Sequence, residues 1–213
     1  IISLSPREVI LATYYRNNVL HLFAIPSLIA LVVQRGQQLD REQLHTQIKA
    51  VYPYLKAELF LKYESAELAP LIDNYLVQLQ QLSLIKMDTT QIQPVETKMH
   101  QLNLLAQLIM PTVERYFIAI CLLNQNQGND HDALTKTCES MAQRLAMLHG
   151  LNAPEFFDVK LFALFIRTMQ QQRHLDQNLN SQLNLDLVIE KSASFLKPSI
   201  AQSILRACRE LAV

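Results

Sequence analysis

Glycine is scarce in this chain, which has 3 glycines among 213 residues. Glycine-rich loops that hold nucleotide phosphates follow the patterns GxGxxG or GxxxxGK, and neither pattern occurs. Net charge is also missing, because 19 lysine and arginine residues balance 19 aspartate and glutamate residues. A nucleic-acid binder needs a basic surface that displaces counterions from the phosphates. These absences argue against a Rossmann or phosphate-loop enzyme and against a nucleic-acid partner.

Cysteine and histidine do not form a recognisable metal or catalytic motif. The three cysteines, Cys121, Cys138 and Cys208, are widely spaced and include no CxxC pair. None of the six histidines has another histidine at metal-ligand spacing, and neither HExxH nor GxSxG is present. We therefore predict no metal, no cofactor and no catalytic residue in this chain. We interpret the cysteines as small core residues.

Apolar residues make up half of the chain, which is enough for a core and excludes a mainly disordered state. The chain begins at Ile1 and has no recognisable signal peptide, so we expect a fragment of a longer protein. The apolar spacing is helical over most of the length, and the predicted fold class is mainly α. We expect a multi-helix array with one or two small β-hairpins, with two tandem winged-helix-like units as a further option.

Capping residues and prolines set the predicted helix boundaries. Ser5 and Glu8 form a capping box, while Asp40 and Ser65 are predicted caps of the next two helices. The predicted helices cover residues 6–34 with a kink at Pro26, 40–61 with a bend or break at Pro53, 65–83, 96–125 with a kink at Pro111, 129–150 and 152–173. A hairpin is predicted from residues 84–87 and 91–93, a loop or weak hairpin from 174–184, and two short helices split at Pro198 after that.

A shift of ninety residues aligns two parts of the chain without a gap, so that Leu44 falls on Leu134. Any two amphipathic helices supply part of such agreement, and both a structural repeat and chance periodicity stay open. Both copies follow the order helix, helix, helix and hairpin or loop, which is also the order of a winged helix. The helix that would enter a DNA groove, residues 66–81, carries Glu67 and Asp73 but no lysine or arginine. We therefore interpret the units as packing modules.

The most apolar stretch is VLHLFAIPSLIALVV, residues 19–33. A helix that spans a bilayer needs roughly twenty apolar residues, so this stretch is too short. A buried core helix is the favoured interpretation. A helix lying against a membrane is the third interpretation, after a buried helix and a spanning one, because Arg16 and Arg35 flank the stretch and can meet anionic headgroups.

A polar cluster precedes the apolar stretch inside the first predicted helix. It comprises Tyr14, Tyr15, Arg16, Asn17 and Asn18. Asparagine is unfavourable inside helices, so a consecutive pair calls for an explanation. Two interpretations stay open: a solvated helix face, or a set of donors directed at a phosphate or a facing domain. Arg16 is the best candidate for such a contact, because its planar fork pairs with phosphate or carboxylate.

Residues 14–30, YYRNNVLHLFAIPSLIA, resemble the segment just after the catalytic domain of bacterial membrane-bound sn-glycerol-3-phosphate acyltransferases. Three further blocks agree in the same order. They are residues 39–60, which include YPYLKAELF; residues 142–145 with 148–150; and residues 152–158. The resemblance covers nearly the whole chain and fades after residue 174. Four specific blocks in one order are far more specific than a single short motif.

The resemblance implies a parent enzyme at the cytoplasmic face of the bacterial inner membrane. Such enzymes transfer an acyl group from acyl carrier protein or acyl-CoA to the 1-hydroxyl of glycerol-3-phosphate, and the product is lysophosphatidate for phospholipid biosynthesis. Their base is a His oriented by an Asp, with four residues between them. No histidine of this chain has Asp at that position, and the family's Glu-Gly phosphate motif is absent. The resemblance therefore implies a helical C-terminal region that is inactive by itself.

On this basis we divide the chain into four segments. They are a long apolar helix linking to the upstream catalytic domain (1–38), a first helical unit with a hairpin (39–95), a second helical unit (96–185) and C-terminal helices (186–213). The first hypothesis is a region that supports the upstream acyltransferase domain of the same protein and its peripheral membrane association, with the polar cluster facing that domain. The second is a protein-interaction module that recruits acyl carrier protein or other lipid-synthesis enzymes.

Overall fold

The computed structural model describes residues 5–35, 39–88, 91–125, 131–149, 158–178, 189–190 and 192–211. The α-helices named in these ranges are α1 (Pro6–Val33), α2 (Arg41–Leu59), α3 (Leu68–Gln81), α4 (Met99–Gln107), α5 (Met110–Gln125), α6 (His131–His149), α7 (Val159–Asn178) and α8 (Pro198–Leu211). The strands are β1 (Ile85–Met87) and β2 (Ile92–Pro94), and 3-10 turns occur at Ser65–Glu67 and Glu96–Lys98. The predicted fold class, mainly α with a small hairpin, is confirmed.

Hydrogen bonds at the starts of α1 and α2 confirm both predicted caps. The Ser5 N–H donates to Oε2 of Glu8 at 2.7 Å, and the Glu8 N–H donates to Oγ of Ser5 at 3.4 Å. The Gln43 N–H donates to Oδ1 of Asp40 at 2.7 Å, and the Asp40 N–H donates to Oε1 of Gln43 at 3.2 Å. Each box satisfies backbone donors that lack a partner inside the first helical turn.

The internal prolines differ in their effect on the helices. α1 continues through Pro26 and α2 through Pro53, so the interruption considered at Pro53 does not occur. Between α4 and α5 the chain instead turns at residues 108–109, and the two helical segments are bent by 56°. Pro111 lies in the first turn of α5, where its missing N–H needs no partner. The kink predicted at Pro111 is confirmed as a bend between two helices.

Three predicted boundaries are wrong for local reasons. α2 ends at Leu59, because Phe60 adopts a left-handed conformation with φ 51° and ψ 44°. Ser65 does not cap α3; it lies in a 3-10 turn, a common start for a helix, and α3 begins at Leu68. α7 extends to Asn178, so the first part of the predicted polar loop is helical, and Leu175 and Gln177 in this part are good helix formers.

Several predictions fall outside the described residues. They concern the helix stop at Gly36, the caps at residues 129–130, the helix end at Gly150, the helix restart at residues 152–155 and the remainder of the polar run, residues 179–184.

The hairpin pairs with the segment between α1 and α2. β1 and β2 are antiparallel with Met87 opposite Ile92, and the Gln91 N–H donates to Oδ1 of Asp88 at 2.7 Å beside the turn. The Ile92 N–H also donates to the carbonyl oxygen of Leu39 at 2.8 Å. The order is therefore α1, a bridging residue, α2, α3 and a hairpin. This order agrees with a winged helix, and the winged-helix interpretation stays a prediction.

The core is built around α5 and the second half of α1. Residues 112–123 of α5 are all buried, and α5 packs against α6, α7 and α8. Residues 24–33 of α1 are also all buried, and α1 packs against α2, α3 and α4. Helices buried on every side need apolar residues on every face, as both sequences have. The three cysteines are free and buried in this core, as predicted.

Helix positions agree with the ninety-residue shift. α2 begins at Arg41 and α6 begins ninety positions later at His131, and both have 19 residues. The buried apolar side chains nevertheless form one continuous cluster from α1 to α8. The repeat and the four-segment division both stay predictions.

Candidate functional site

α1 passes from the surface into the core within one helix. We call residues 5–23 the outer segment of α1. Of the side chains described in the outer segment, Leu20 is buried and the others are exposed. Every side chain from residue 24 to residue 33 is buried. The buried core helix favoured for the apolar stretch is therefore confirmed from Ala24 onward, while most of residues 19–23 face outward.

The predicted polar cluster lies on the outer segment. The side chains of Tyr14 and Tyr15 are 61% and 65% exposed, and their ring centroids lie 5.9 Å apart in an edge-to-face arrangement. Asn18 is also exposed. The side chains of Arg16 and Asn17 lie outside the described part of the structure. The structure thus brings the two tyrosines and Asn18 together on one exposed stretch of helix.

Apolar side chains share the surface of the outer segment. Leu11, Val19 and Leu22 are exposed by 46%, 43% and 59%. Residues three and four apart lie on the same face of a helix, so these three side chains line up with Tyr15. Phe23, at the edge of this face, is exposed by 42%. A contiguous exposed apolar stripe of this kind is typical of an interaction surface.

A charged cluster crosses the core between α2 and α5. The side chain of Arg115 is completely buried, and its Nη2 donates to Oε1 of Glu58. The hydroxyl of Tyr116 donates to the other carboxylate oxygen of Glu58 at 2.8 Å. Burial, together with the charge of Glu58, raises the pKa of Tyr116 well above its ordinary value, so the phenol keeps its proton and remains a donor. The cluster fixes α2 against α5.

An aromatic stack adjoins the charged cluster. The ring of Tyr116 stacks on Phe165 of α7 with centroids 4.4 Å apart, and Tyr54 meets the edge of Phe165 at 5.1 Å. The hydroxyl of Tyr52 donates to the carbonyl oxygen of Tyr63 at 2.8 Å. Tyr52 and Tyr54, like Glu58, belong to the YPYLKAELF block that carried the sequence resemblance. Tyr54 and Glu58 thus join α2 to α5 and α7, while Tyr52 holds the segment that follows α2.

A histidine and an aspartate pair between α2 and α3. Nε2 of His45 lies 2.8 Å from Oδ1 of Asp73, and Nε of Arg41 donates to the same oxygen at 2.7 Å. Burial opposes ionisation of Asp73, but the hydrogen bonds and charges of Arg41 and His45 outweigh it and lower the pKa of that carboxyl. A carboxylate that orients a histidine is part of many general bases. Here Asp73 is shared with an arginine, and the three side chains tie α3 to the start of α2.

Two further properties concern the described ranges as a whole. No group of three or more His, Cys, Asp and Glu side chains that could hold a metal ion occurs in them. No single helix in the described ranges has both the length and the apolar composition to cross a membrane. One bent pair of helical segments, Glu96–Gln107 and Met110–Gln125, has that length and composition when the two are taken together.

Comparison with known proteins connects this architecture to a family. Residues 1–178 match the family described as the glycerol-3-phosphate acyltransferase C-terminal region. The chain belongs to this family. The family membership predicted from four sequence blocks is thereby confirmed.

Curated relatives in this family carry the name glycerol-3-phosphate acyltransferase. The proteins of Pseudomonas paraeruginosa (strain PA7) and Pseudomonas aeruginosa (strain PAO1) are each 40% identical to this chain over its whole length. The protein of Pseudomonas putida (strain KT2440) is 38% identical over the same extent. The chain spans 26% of the length of each of these relatives. No solved structure matches the chain.

Sequence reasoning missed the charged cluster of this family member. Glu58 and Arg115 are 57 positions apart, and no local spacing rule connects them. A signal was nevertheless present, since Glu114 and Arg115 are adjacent charges in an otherwise apolar helix. Charged residues are rarely buried without a partner, so such a pair inside a core helix indicates partners elsewhere in the fold.

Proposed function

We propose that this chain is the non-catalytic C-terminal part of a bacterial sn-glycerol-3-phosphate 1-O-acyltransferase. The parent enzyme transfers an acyl group from acyl-CoA or acyl carrier protein to glycerol-3-phosphate, and the product is lysophosphatidate. Family membership and the names of the relatives support this reaction. The sequence lacks the His and Asp pair that the resemblance assigns to catalysis. The reacting groups therefore belong to the upstream acyltransferase domain.

In this proposal the outer segment of α1 packs on that upstream domain. The observation that carries it is the contrast within α1, which is buried throughout residues 24–33 and yet exposes Leu11, Val19 and Leu22. Aromatic residues are enriched in the cores of protein interfaces, and Tyr14 and Tyr15 fit that composition. The relatives are about four times as long as this chain, so they contain enough additional sequence for such a domain.

The polar cluster has a defined role within this contact. Tyr14, Tyr15 and Asn18 supply hydroxyl and amide groups on an otherwise apolar surface. Arg16 is the residue that we assign to a phosphate or carboxylate of the facing domain, because its guanidinium makes two parallel hydrogen bonds to either group. In this way the C-terminal part completes the surroundings of the active site without supplying a reacting group.

The parent enzyme is proposed to be peripheral at the cytoplasmic face of the inner membrane. Helices that lie on membranes combine an apolar face with basic residues. The outer segment has such a face, and its sequence contains Arg7 and Arg16 against one acidic residue, Glu8. Because the apolar face also contains two tyrosines and an asparagine, we assign its main contact to the protein domain and a subsidiary contact to the lipid surface.

A rescue assay tests the proposal. This chain and the preceding part of its parent enzyme are expressed separately and together, and acyl transfer to glycerol-3-phosphate is measured in membranes. We expect activity when both parts are present and none from either part alone.

Two outcomes contradict parts of the proposal. Equal activity from the upstream part alone means that the C-terminal region does not complete the active site, and it favours a recruiting module. Activity from this chain alone means that its catalytic residues have been overlooked. Sedimentation of each part with anionic vesicles, measured in parallel, shows whether the membrane contact depends on this chain.

A further inference from the structure

A cavity of about 550 Å³ lies where α4 and α5 meet the end of α1 and the start of α8. Its wall contains Arg35 just after α1, Asn103 and Gln107 of α4, Glu114 of α5, and the first turn of α8 at Ser199 with the preceding Lys197. Cavities that hold small ligands typically measure roughly 300 to 1,000 Å³. None of the residues that line this cavity belongs to the outer segment of α1.

Glu114 is the most unusual residue of this wall. Its side chain is 2% exposed, and its Oε2 has no hydrogen-bond partner among the described residues. Burial raises the pKa of Glu114 to about 7, although the charges of Lys197 and Arg35 act in the opposite direction. A buried carboxyl oxygen without a partner among the described residues is costly, and a ligand that accepts its proton in a hydrogen bond removes that cost.

Positive charge surrounds the carboxyl. Arg35 is half-buried, and its Nε also has no hydrogen-bond partner among the described residues. Lys197 precedes α8, and its carbonyl oxygen accepts the N–H groups of Ile200 and Ala201. The N–H of Ser199 therefore lies in the first turn of a 14-residue helix, where the helix dipole favours an anion. Asn103 and Gln107 on α4 add no charge.

We propose that this cavity binds the phosphate group of a phosphate monoester. Arg35 and Lys197 neutralise the phosphate, the backbone N–H of Ser199 in the first turn of α8 donates to it, and the protonated carboxyl of Glu114 donates its O–H to a phosphate oxygen. The ligand is either a small soluble ester or the headgroup of a lipid with a terminal phosphate. Both present the same group, and the experiment separates them.

Binding is measured by titration calorimetry with the complete chain. Glycerol-3-phosphate represents the soluble ester, and phosphatidylcholine vesicles with and without phosphatidate represent the lipid headgroup. We expect one of the two esters to bind. Lys197→Ala and Arg35→Ala each weaken binding by about tenfold or more, because each removes a charge-assisted contact. Lys49→Ala, which removes an exposed lysine of α2, leaves the affinity unchanged.

The pH dependence isolates Glu114. Inorganic sulfate stays a dianion from mildly acidic to mildly alkaline pH, so a change in its affinity with pH reports titration of the protein alone. We expect the affinity of the chain for sulfate to fall as pH rises through 7, because the ionised carboxyl repels the anion. Glu114→Gln retains a donor of the same size and abolishes this dependence.

The results distinguish a soluble ester from a lipid headgroup and also show whether the cavity binds a phosphate monoester at all. Binding of glycerol-3-phosphate assigns a soluble ester, and binding of phosphatidate vesicles alone assigns a lipid headgroup. Failure of both esters to bind overturns the proposal, as does an equal response of Lys197→Ala and Lys49→Ala. These measurements do not involve the upstream domain, so their result is independent of the acyl-transfer assay.

Discussion

Arg115, whose side chain is completely buried, forms an ion pair with the largely buried Glu58 between α5 and α2. Nη2 of Arg115 donates to one oxygen of Glu58, and the hydroxyl of Tyr116 donates to the other. Both oxygens of the carboxylate thus have partners away from water. A buried ion pair adds little net stability, but the loss of one partner leaves a charge in the core without compensation.

Glu58→Ala should therefore destabilise the chain strongly. We expect a loss of about 3 to 5 kcal/mol in the free energy of unfolding, because the guanidinium of Arg115 then remains buried without its carboxylate. Urea denaturation followed by far-ultraviolet circular dichroism measures this loss. Glu210→Ala is the matched control, because Glu210 pairs with Arg206 on the exposed surface of α8 at 3.1 Å. The control should change stability by less than about 1 kcal/mol. Losses of similar size in both variants contradict the assignment.

Glu114 should make the stability of the chain depend on pH. Its pKa is raised from 4.5 to about 7 in the folded chain, chiefly by burial. The folded state therefore binds more protons than the unfolded state between these values, and the free energy of unfolding falls as pH rises through this window. Glu114→Gln should remove this dependence and exceed the stability of the native chain above pH 7 by at most about 3 kcal/mol. Urea denaturation of both proteins at several pH values measures the difference; parallel stability curves would contradict the prediction.

The three cysteines should resist modification in the folded chain. Cys121, Cys138 and Cys208 are all buried. A hydrogen bond with the Cys208 thiol and burial raise the pKa of Cys121, and burial raises the pKa of Cys138 to about 12. Thiolates are the reactive form, so a maleimide should label none of the three sites before denaturant is added and all of them afterwards. Mass spectrometry counts the labels. Rapid labelling of any site in the folded chain contradicts its burial in the core.

Arg16→Ala should reduce acyl transfer by the parent enzyme without unfolding this region. The proposed contact with a phosphate or carboxylate is charge-assisted, so its loss should lower activity by about tenfold or more. Arg206→Ala, which removes an exposed arginine of α8, serves as the control because Arg206 lies outside the outer segment of α1. Initial rates in membranes and the thermal midpoint of each variant are measured together. Unchanged kinetics for Arg16→Ala exclude the role assigned to this residue.

Local signals in the sequence were sufficient for most of the helices and for the hairpin. The Ser5 and Asp40 caps act within three residues of their partners, and their predicted hydrogen bonds are present. The predicted ends of α2 and α7 were wrong because of the conformations that individual residues adopt at those ends. Phe60 ends α2 in a left-handed conformation that its residue type does not predict. α7 continues past Arg173 to Asn178, and within this extension only Leu175 and Gln177 are strong helix formers.

The candidate sites were less predictable because they depend on distant residues. The exposure of Tyr14 and Tyr15 could be anticipated from their position in a polar cluster. The exposure of Leu11 and Leu22 could not, since apolar periodicity predicts a buried face and does not say which part of a helix has no neighbour. The cavity beside Glu114 needs the ends of α1 and α8 to meet at the bend between α4 and α5. The spacing of residues in the sequence does not predict this tertiary arrangement of the helices.

Docking of the outer segment of α1 on the upstream domain is tested most directly by measuring binding between this chain and the upstream part of its parent enzyme. Leu22 lies on the apolar stripe of the outer segment and is 59% exposed, and Leu104 on α4 is similarly exposed at 52%. The two variants Leu22→Asp and Leu104→Asp place the same charge on these two surfaces, and titration calorimetry compares them with the native chain. We expect Leu22→Asp to abolish binding and Leu104→Asp to preserve it. Native affinity in the Leu22→Asp variant would contradict docking through the outer segment of α1.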